Sequence, residues 1–251
     1  MQIKRQYNIV SFISGKGSVG KSIILSLIAQ ILSEKFSTIL IWDNDLYSPV
    51  QHILCGVEPN IKLIDIITQN ISADKALTKV TNKIFLIGGT NNFEIDIDLS
   101  DTVFLKFQSL IMENDFDVIL VDNHSGYSKL ISKFAKNSKL NIMFLTDEPT
   151  AILDAYGLAK ILFKFFGIVN IGTVVNNVID KEDGINVSKI FDQATSNFLN
   201  IKFENYGIIP YEKELKKYFF DLKDFIKKVK DGEFVQSLID ISEKIVLKVI
   251  E

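Results

Sequence analysis

Apolar residues in this chain gather in short unbroken runs, at residues 8–13, 38–42, 84–87, 118–121, 141–145 and 172–175, with a shorter one at 207–209. A strand with one wet face alternates apolar and polar positions. An unbroken run needs cover on both faces, which marks a central strand of a parallel sheet between helices. Most of the runs are separated by helix-length stretches, and the four prolines, Pro49, Pro59, Pro149 and Pro210, fall between elements. The pattern predicts an α/β fold: a single doubly wound, mostly parallel sheet flanked by helices. Ligands of such sheets lie at the carboxyl ends of the strands, so the residues that follow each run carry the functional information.

The first run leads into Gly15-Lys16-Gly17-Ser18-Val19-Gly20-Lys21-Ser22, which fits the phosphate-loop pattern G-x-x-x-x-G-K-[ST]. A glycine-rich turn lets backbone N–H groups converge on phosphate oxygens, and the following helix aims its positive end at the same anion. Lys21 then reaches the β- and γ-phosphates and Ser22 ligates Mg²⁺. A glycine-rich turn without a ligand is the competing reading. The strand before the loop and the apolar helical run Ile23-Ile24-Leu25-Ser26-Leu27-Ile28-Ala29 after it favour the phosphate loop.

Composition narrows the picture. With 251 residues, 47% of them hydrophobic, the chain is long enough for one sizeable core. We expect one domain over residues 1–251, with residues 212–251 as a helical closing segment. A net charge of −3 gives no global reason to expect nucleic-acid or anionic-membrane binding. One cysteine, Cys55, excludes an internal disulfide and any cysteine-built cluster within one chain. The first residues show no secretory apolar region, and no apolar run approaches the ~18 residues of a membrane span, which reads as cytoplasmic. Arg5 is the single arginine among 28 basic residues. A cationic finger on a γ-phosphate is therefore a lysine unless Arg5 or another protein supplies it, which points to Lys16.

Two strands end in carboxylates. In Trp42-Asp43-Asn44-Asp45 the aspartates are two residues apart, so in extended backbone both face one site beside the loop, where they orient water or support Mg²⁺. A turn or helix-cap role is the alternative for either one. The run ending in Asp122 is the usual companion of a phosphate loop and holds Mg²⁺ through its water shell. In the following Asn123-His124-Ser125-Gly126, Gly126 is placed to sense a γ-phosphate, and His124 reads as a partly exposed loop histidine rather than a base. The acidic stretch of residues 91–101 reads as a solvated surface loop, since it lacks EF-hand spacing.

The lysine-bearing loop, the Asp-x-Asp, the strand end at Asp122, Val174-Val175-Asn176-Asn177 and Gly207-Ile208-Ile209-Pro210 together resemble the MinD/ParA family of deviant Walker A ATPases. Leu145-Thr146-Asp147-Glu148-Pro149-Thr150 through Asp154-Ala155-Tyr156 is most similar to its flagellar-number branch, FlhG, also called FleN or YlxH. The resemblance implies a Mg²⁺-dependent, partner-stimulated ATPase that forms a homodimer around ATP and releases it as ADP. In it, Lys16 reaches the partner's nucleotide, Asp45 positions the hydrolytic water with Asp43 nearby, Asn176 reads adenine, and Pro210, Tyr211 and Glu212 lie against the base. MinD-like division-site placement, ParA-like cargo partitioning and a scaffold with negligible hydrolysis are the alternatives. Ser18 stands where the family usually has a second glycine, which is tolerable if that residue has a negative φ. Asn44 and Asn123-His124-Ser125 also depart from the family pattern. Leu46-Tyr47-Ser48-Pro49 looks closer to the Mrp iron–sulfur carrier branch, whose paired cysteines are missing. The resemblance also implies a partner such as the flagellar GTPase FlhF or another activator, and the inner membrane face as a docking surface. For the latter, the basic aromatic stretch of residues 216–230 fits in part, although it and residues 234–250 both read first as ordinary closing helices.

Overall fold

The computed structural model describes residues 7–69, 71–88, 99–218, 222–229 and 231–250, and its strands, apart from the two-residue Thr78–Lys79, begin within three residues of where the unbroken apolar runs begin. In chain order the elements are β1 (Ile9–Ser14), α1 (Lys21–Leu32), β2 (Ile39–Asn44), α2 (Gln51–Leu54), α3 (Leu63–Thr68), β3 (Thr78–Lys79), β4 (Ile84–Ile87), α4 (Ser100–Glu113) and β5 (Val118–Asn123). There follow α5 (Lys129–Asn137), β6 (Leu140–Leu145), α6 (Pro149–Phe166), β7 (Ile171–Val178), α7 (Lys181–Leu199), β8 (Glu204–Pro210), α8 (Leu222–Lys228) and α9 (Glu233–Ile250). The sheet has the order β3-β4-β2-β5-β1-β6-β7-β8, and β3 alone runs antiparallel, against β4. Two residues are too few to leave an apolar pattern, so β3 was invisible in the sequence.

Every residue of β1, β2, β5 and β6 is buried, as strands covered on both faces require. Along β1 the side chains alternate between layers. Val10 and Phe12 join α1, α8 and α9, whereas Ile9 packs with α3 and α4, and Ile13 with α6 and α7. Full burial of each such side chain is worth roughly 1.5–3 kcal/mol, so the layers and the sheet order are fixed together. Helix boundaries follow local chemistry. Pro149 opens α6 and Gly167 closes it at φ 66°, while Asp180 caps α7 by accepting from Glu182 N–H.

The sheet order brings the chemistry together. β5 lies between β1 and β2, and the parallel register sets Asp122 opposite both Phe12 and Asp43. The two strand-end aspartates and the loop leaving β1 therefore share one edge of the sheet. Arg5, Phe219, Phe220, Lys230 and residues 91–98 of the acidic stretch lie outside the described residues.

Candidate functional site

The loop that leaves β1 is built for an anion. Gly20 precedes α1 at φ 81°, and α1 begins without a side-chain cap and without an acid in its first turn. Its first N–H groups thus have no capping side chain, and the positive end of the helix lies at the loop. Gly15 has no room for a side chain: a Cβ there would lie 2.1 Å from the carbonyl carbon of Asp154 in α6. Ser18 does not meet the condition of a negative φ, for it sits at φ 64°. Holding a serine in the left-handed region costs about 1–2 kcal/mol.

Lys21 is buried, and its Nζ donates to Asp122 Oδ1. Asp43 is fully buried beside that pair. Burial, then the neighbouring Asp122 carboxylate, pushes the Asp43 carboxyl well above the usual range, against the pull of N–H donation from Gln51 and Asp45. Two facing carboxylates with one ammonium, paired to Asp122, are short of positive charge. With the hydroxyl-bearing Ser22 in the first turn of α1, they suit a Mg²⁺ held largely through water and phosphate. Among the described residues no cluster of three or more acidic, histidine or cysteine side chains offers an all-protein metal cage.

The two aspartates differ in backbone setting, although Asp45 N–H donates to Asp43 Oδ1 and the Asp45 charge raises the Asp43 carboxyl. The strand ends at Asn44, and Asp45 lies in the turn beyond it, where its Oδ1 accepts from Tyr47 N–H at 3.1 Å and Ser48 N–H at 2.9 Å. Alternation held only as far as the extended backbone did. The turn reading of Asp45 is the one its hydrogen bonds match, while its charge still acts on His124. The half-buried His124 has its pKa lowered by burial first, with Asp45 raising it and Lys21 lowering it. Gly126 N–H donates to Ser14 carbonyl at 2.9 Å, and Gly17 lies beside Ser125, so the loop after β5 is folded against the phosphate loop.

Lys16 does not point into this buried pair. Its Nζ donates to Glu148 Oε2 and, at 2.9 Å, to Thr150 Oγ1, both at the start of α6, with 37% of the Lys16 side chain and 60% of that of Glu148 exposed. Asn176, at the end of β7, is buried and donates from Nδ2 to the Val19 carbonyl at 2.8 Å, so its amide braces the phosphate loop. Pro210 pairs with Val178 and Tyr211 N–H donates to Val178 carbonyl at 2.8 Å, which sets residues 210–212 beside the strand carrying Asn176. Glu212 Oε1 accepts from Glu214 N–H.

Gln51 was missed by the sequence reading. It is fully buried at the start of α2 and bonded to both strand-end aspartates. A single polar residue after a proline-containing turn carries no pattern that announces this.

The C-terminal elements pack inward. Phe234, Leu238, Ile241 and Ile245 of α9 and Leu222 and Phe225 of α8 are buried in the sheet-facing core. No helix among the described residues is long and apolar enough to cross a membrane.

Comparison with known proteins agrees with this fold. The family model described as the CobQ/CobB/MinD/ParA nucleotide binding domain matches residues 10–223. The antiactivator FleN of Pseudomonas aeruginosa is 24% identical over 214 residues, covering 83% of this chain and 75% of that protein. The flagellum site-determining protein YlxH of Helicobacter pylori is 24% identical over 244 residues, covering 95% and 82%. Among solved structures, septum site-determining protein MinD of Pyrococcus horikoshii complexed with Mg-ADP superposes with a TM-score of 0.75 at 19% identity, covering 95% of this chain and 96% of that one. At that identity the likeness shows the fold.

Proposed function

Since the chain belongs to the CobQ/CobB/MinD/ParA nucleotide-binding domain family, we propose that it is a Mg²⁺-dependent ATPase, one domain over residues 1–251, whose ATP-bound homodimer is a molecular switch. The observation that carries the reading is the loop itself: an uncapped helix N-terminus beside a buried Lys21–Asp122–Asp43 group, with a second lysine outside it.

ATP phosphates bind across the free N–H groups of residues 15–22, and Lys21 leaves Asp122 for the β/γ-phosphate oxygens. Ser22, Asp43 and Asp122 would hold Mg²⁺ there, and the ion would supply positive charge for the phosphate oxygens. Asp45, at the mouth of the site, orients the attacking water. Lys16 exchanges Glu148 and Thr150 for the nucleotide of the partner copy, so each protomer completes the other's site. Pro210, Tyr211 and Glu212 flank the base, and Asn176 reaches it from the loop it braces. ATP thereby favours the dimer and hydrolysis releases it, a population shift set by the better fit of ATP across the interface.

The biological reading is control of flagellar number or placement. FleN and YlxH support it, as does the Glu148-Pro149-Thr150 segment, which is also the segment that holds Lys16. FlhF or another activator is the corresponding partner class. Division-site placement is the second reading, favoured by the MinD relatives; counting flagella and misplaced septa in a deletion strain separates the two. The enzymatic claim is tested by phosphate release from Mg-ATP. Asp45→Asn keeps an oxygen for the Tyr47 and Ser48 N–H groups while removing the charge, so turnover falls by about 100-fold with ATP binding retained. Equal turnover in variant and wild type removes Asp45 from the chemistry.

A further inference from the structure

Gln51 is fully buried at the first position of α2, and every hydrogen-bonding group of its carboxamide is used. Its Nε2 donates to Asp122 Oδ2 at 2.7 Å and to the Ser22 carbonyl at 3.0 Å, and its Oε1 accepts from Ser26 Oγ at 2.6 Å. Its backbone N–H donates to Asp43 Oδ2 at 3.0 Å. One residue thus joins both strand-end carboxylates to the first turns of α1. The two oxygens of Asp122 are divided: Lys21 takes Oδ1 and Gln51 takes Oδ2.

That division has a consequence. When Lys21 turns to a phosphate, Asp122 Oδ1 becomes available, and the carboxylate keeps its direction only through Oδ2. We propose that Gln51 is a positioning residue, which holds Asp122 aimed at the metal position during the exchange of Lys21 from carboxylate to nucleotide. The inference rests on the nucleotide reading above and deepens it. Gln51 touches neither nucleotide nor metal; it acts through Asp122, as hydrogen-bonded partners of metal-holding carboxylates do, and such partners are worth about 10–100-fold in metal affinity. A merely structural role predicts something different, since loss of general packing weakens nucleotide binding whether or not Mg²⁺ is present.

The test is binding of a fluorescent ADP analogue to the full chain in EDTA and across a Mg²⁺ titration. Gln51→Met keeps the length of the side chain and removes all three carboxamide bonds, while the backbone bond to Asp43 remains. The expected result is unchanged affinity in EDTA and a rise of about tenfold in the Mg²⁺ concentration giving half-maximal enhancement. Ser26→Ala frees only Oε1 and shifts the same midpoint in the same direction by a smaller factor. An unchanged midpoint in Gln51→Met overturns the proposal, and so does an equal loss of affinity with and without Mg²⁺. If Gln51→Met does not fold, Ser26→Ala decides, and a wild-type midpoint there overturns it. Wild-type protein that binds the analogue in neither buffer overturns the functional reading as well, which keeps the two failures apart.

Discussion

Two lysines five positions apart on one loop have opposite surroundings. Lys21 is buried against an Asp122 side chain only 1% exposed, in a site that already holds a second carboxylate. Lys16 spans the surface to Glu148 and Thr150 at the start of α6. A buried pair broken from one side leaves an uncompensated charge, whereas an exposed pair is solvated as it opens and is worth about 0–1 kcal/mol. The difference divides the labour of the loop. In the proposed mechanism Lys21 stays within its own protomer and has only to move between Asp122 and a phosphate. The proposed role of Lys16 in a second copy's site needs a lysine that can leave its own protomer, and this exposed contact suits that.

The largest expected effect is on the buried side. Lys21→Ala strands Asp122 beside Asp43, and denaturant unfolding of the nucleotide-free protein should show a loss of roughly 3–5 kcal/mol, much of it recovered in the double variant with Asp122→Asn. Gly15→Ala comes next. Its methyl would meet the backbone of α6, so a loss of about 1–3 kcal/mol is expected, together with weakened nucleotide binding as the loop shifts. Ser18→Gly reverses the sign: it relieves the left-handed φ and raises stability by about 0.5–1 kcal/mol, with the loop more mobile by hydrogen exchange. Lys16→Ala should leave the melting temperature of the monomer within about 2 °C of wild type, sharpening the contrast with Lys21→Ala.

The smallest effect lies far from the loop. Lys129 and Lys133 both donate to Asp101 and hold its carboxyl at about 2, below the ordinary 3.8. Because the folded value is the lower one, the contribution to stability is present above the ordinary value and is lost as pH falls through about 2. Asp101→Asn therefore lowers the melting temperature slightly at neutral pH, less so in high salt, and not at all in strong acid. Equal shifts at both pH values would show that the exposed pairs contribute nothing.

Much of this was legible in the chain. Parallel strands buried on both faces announce themselves as unbroken apolar runs, and Asp43 and Asp122 stand out because each ends such a run. The loop is legible because its pattern is the binding surface. What escaped depends on contacts between distant segments. Gln51 is one polar residue in a four-residue helix, and only the approach of α1, β2 and β5 makes it a hub. Asp45 looked like the twin of Asp43 because period-two alternation assumes extended backbone, which stops at Asn44. Ser18 looked compatible with a negative φ because its neighbours' conformations are not written in its own side chain. Asn176 was assigned by resemblance to a base, and the structure adds its bond to Val19, which no local pattern encodes. Asp101 looked like part of a solvated acidic stretch; it lies in the first turn of α4, and its lysine partners are supplied by α5.

The central claim is that Lys16 leaves its own protomer to complete the site of a second copy when ATP is bound. The most direct measurement is the solution mass of wild type and Lys16→Ala with Mg²⁺ and either ATP or ADP. The account predicts a dimer only for wild type with ATP, and monomers in the other three samples. Wild type that binds ATP and remains monomeric, or a Lys16→Ala dimer formed as readily as wild type, would contradict it.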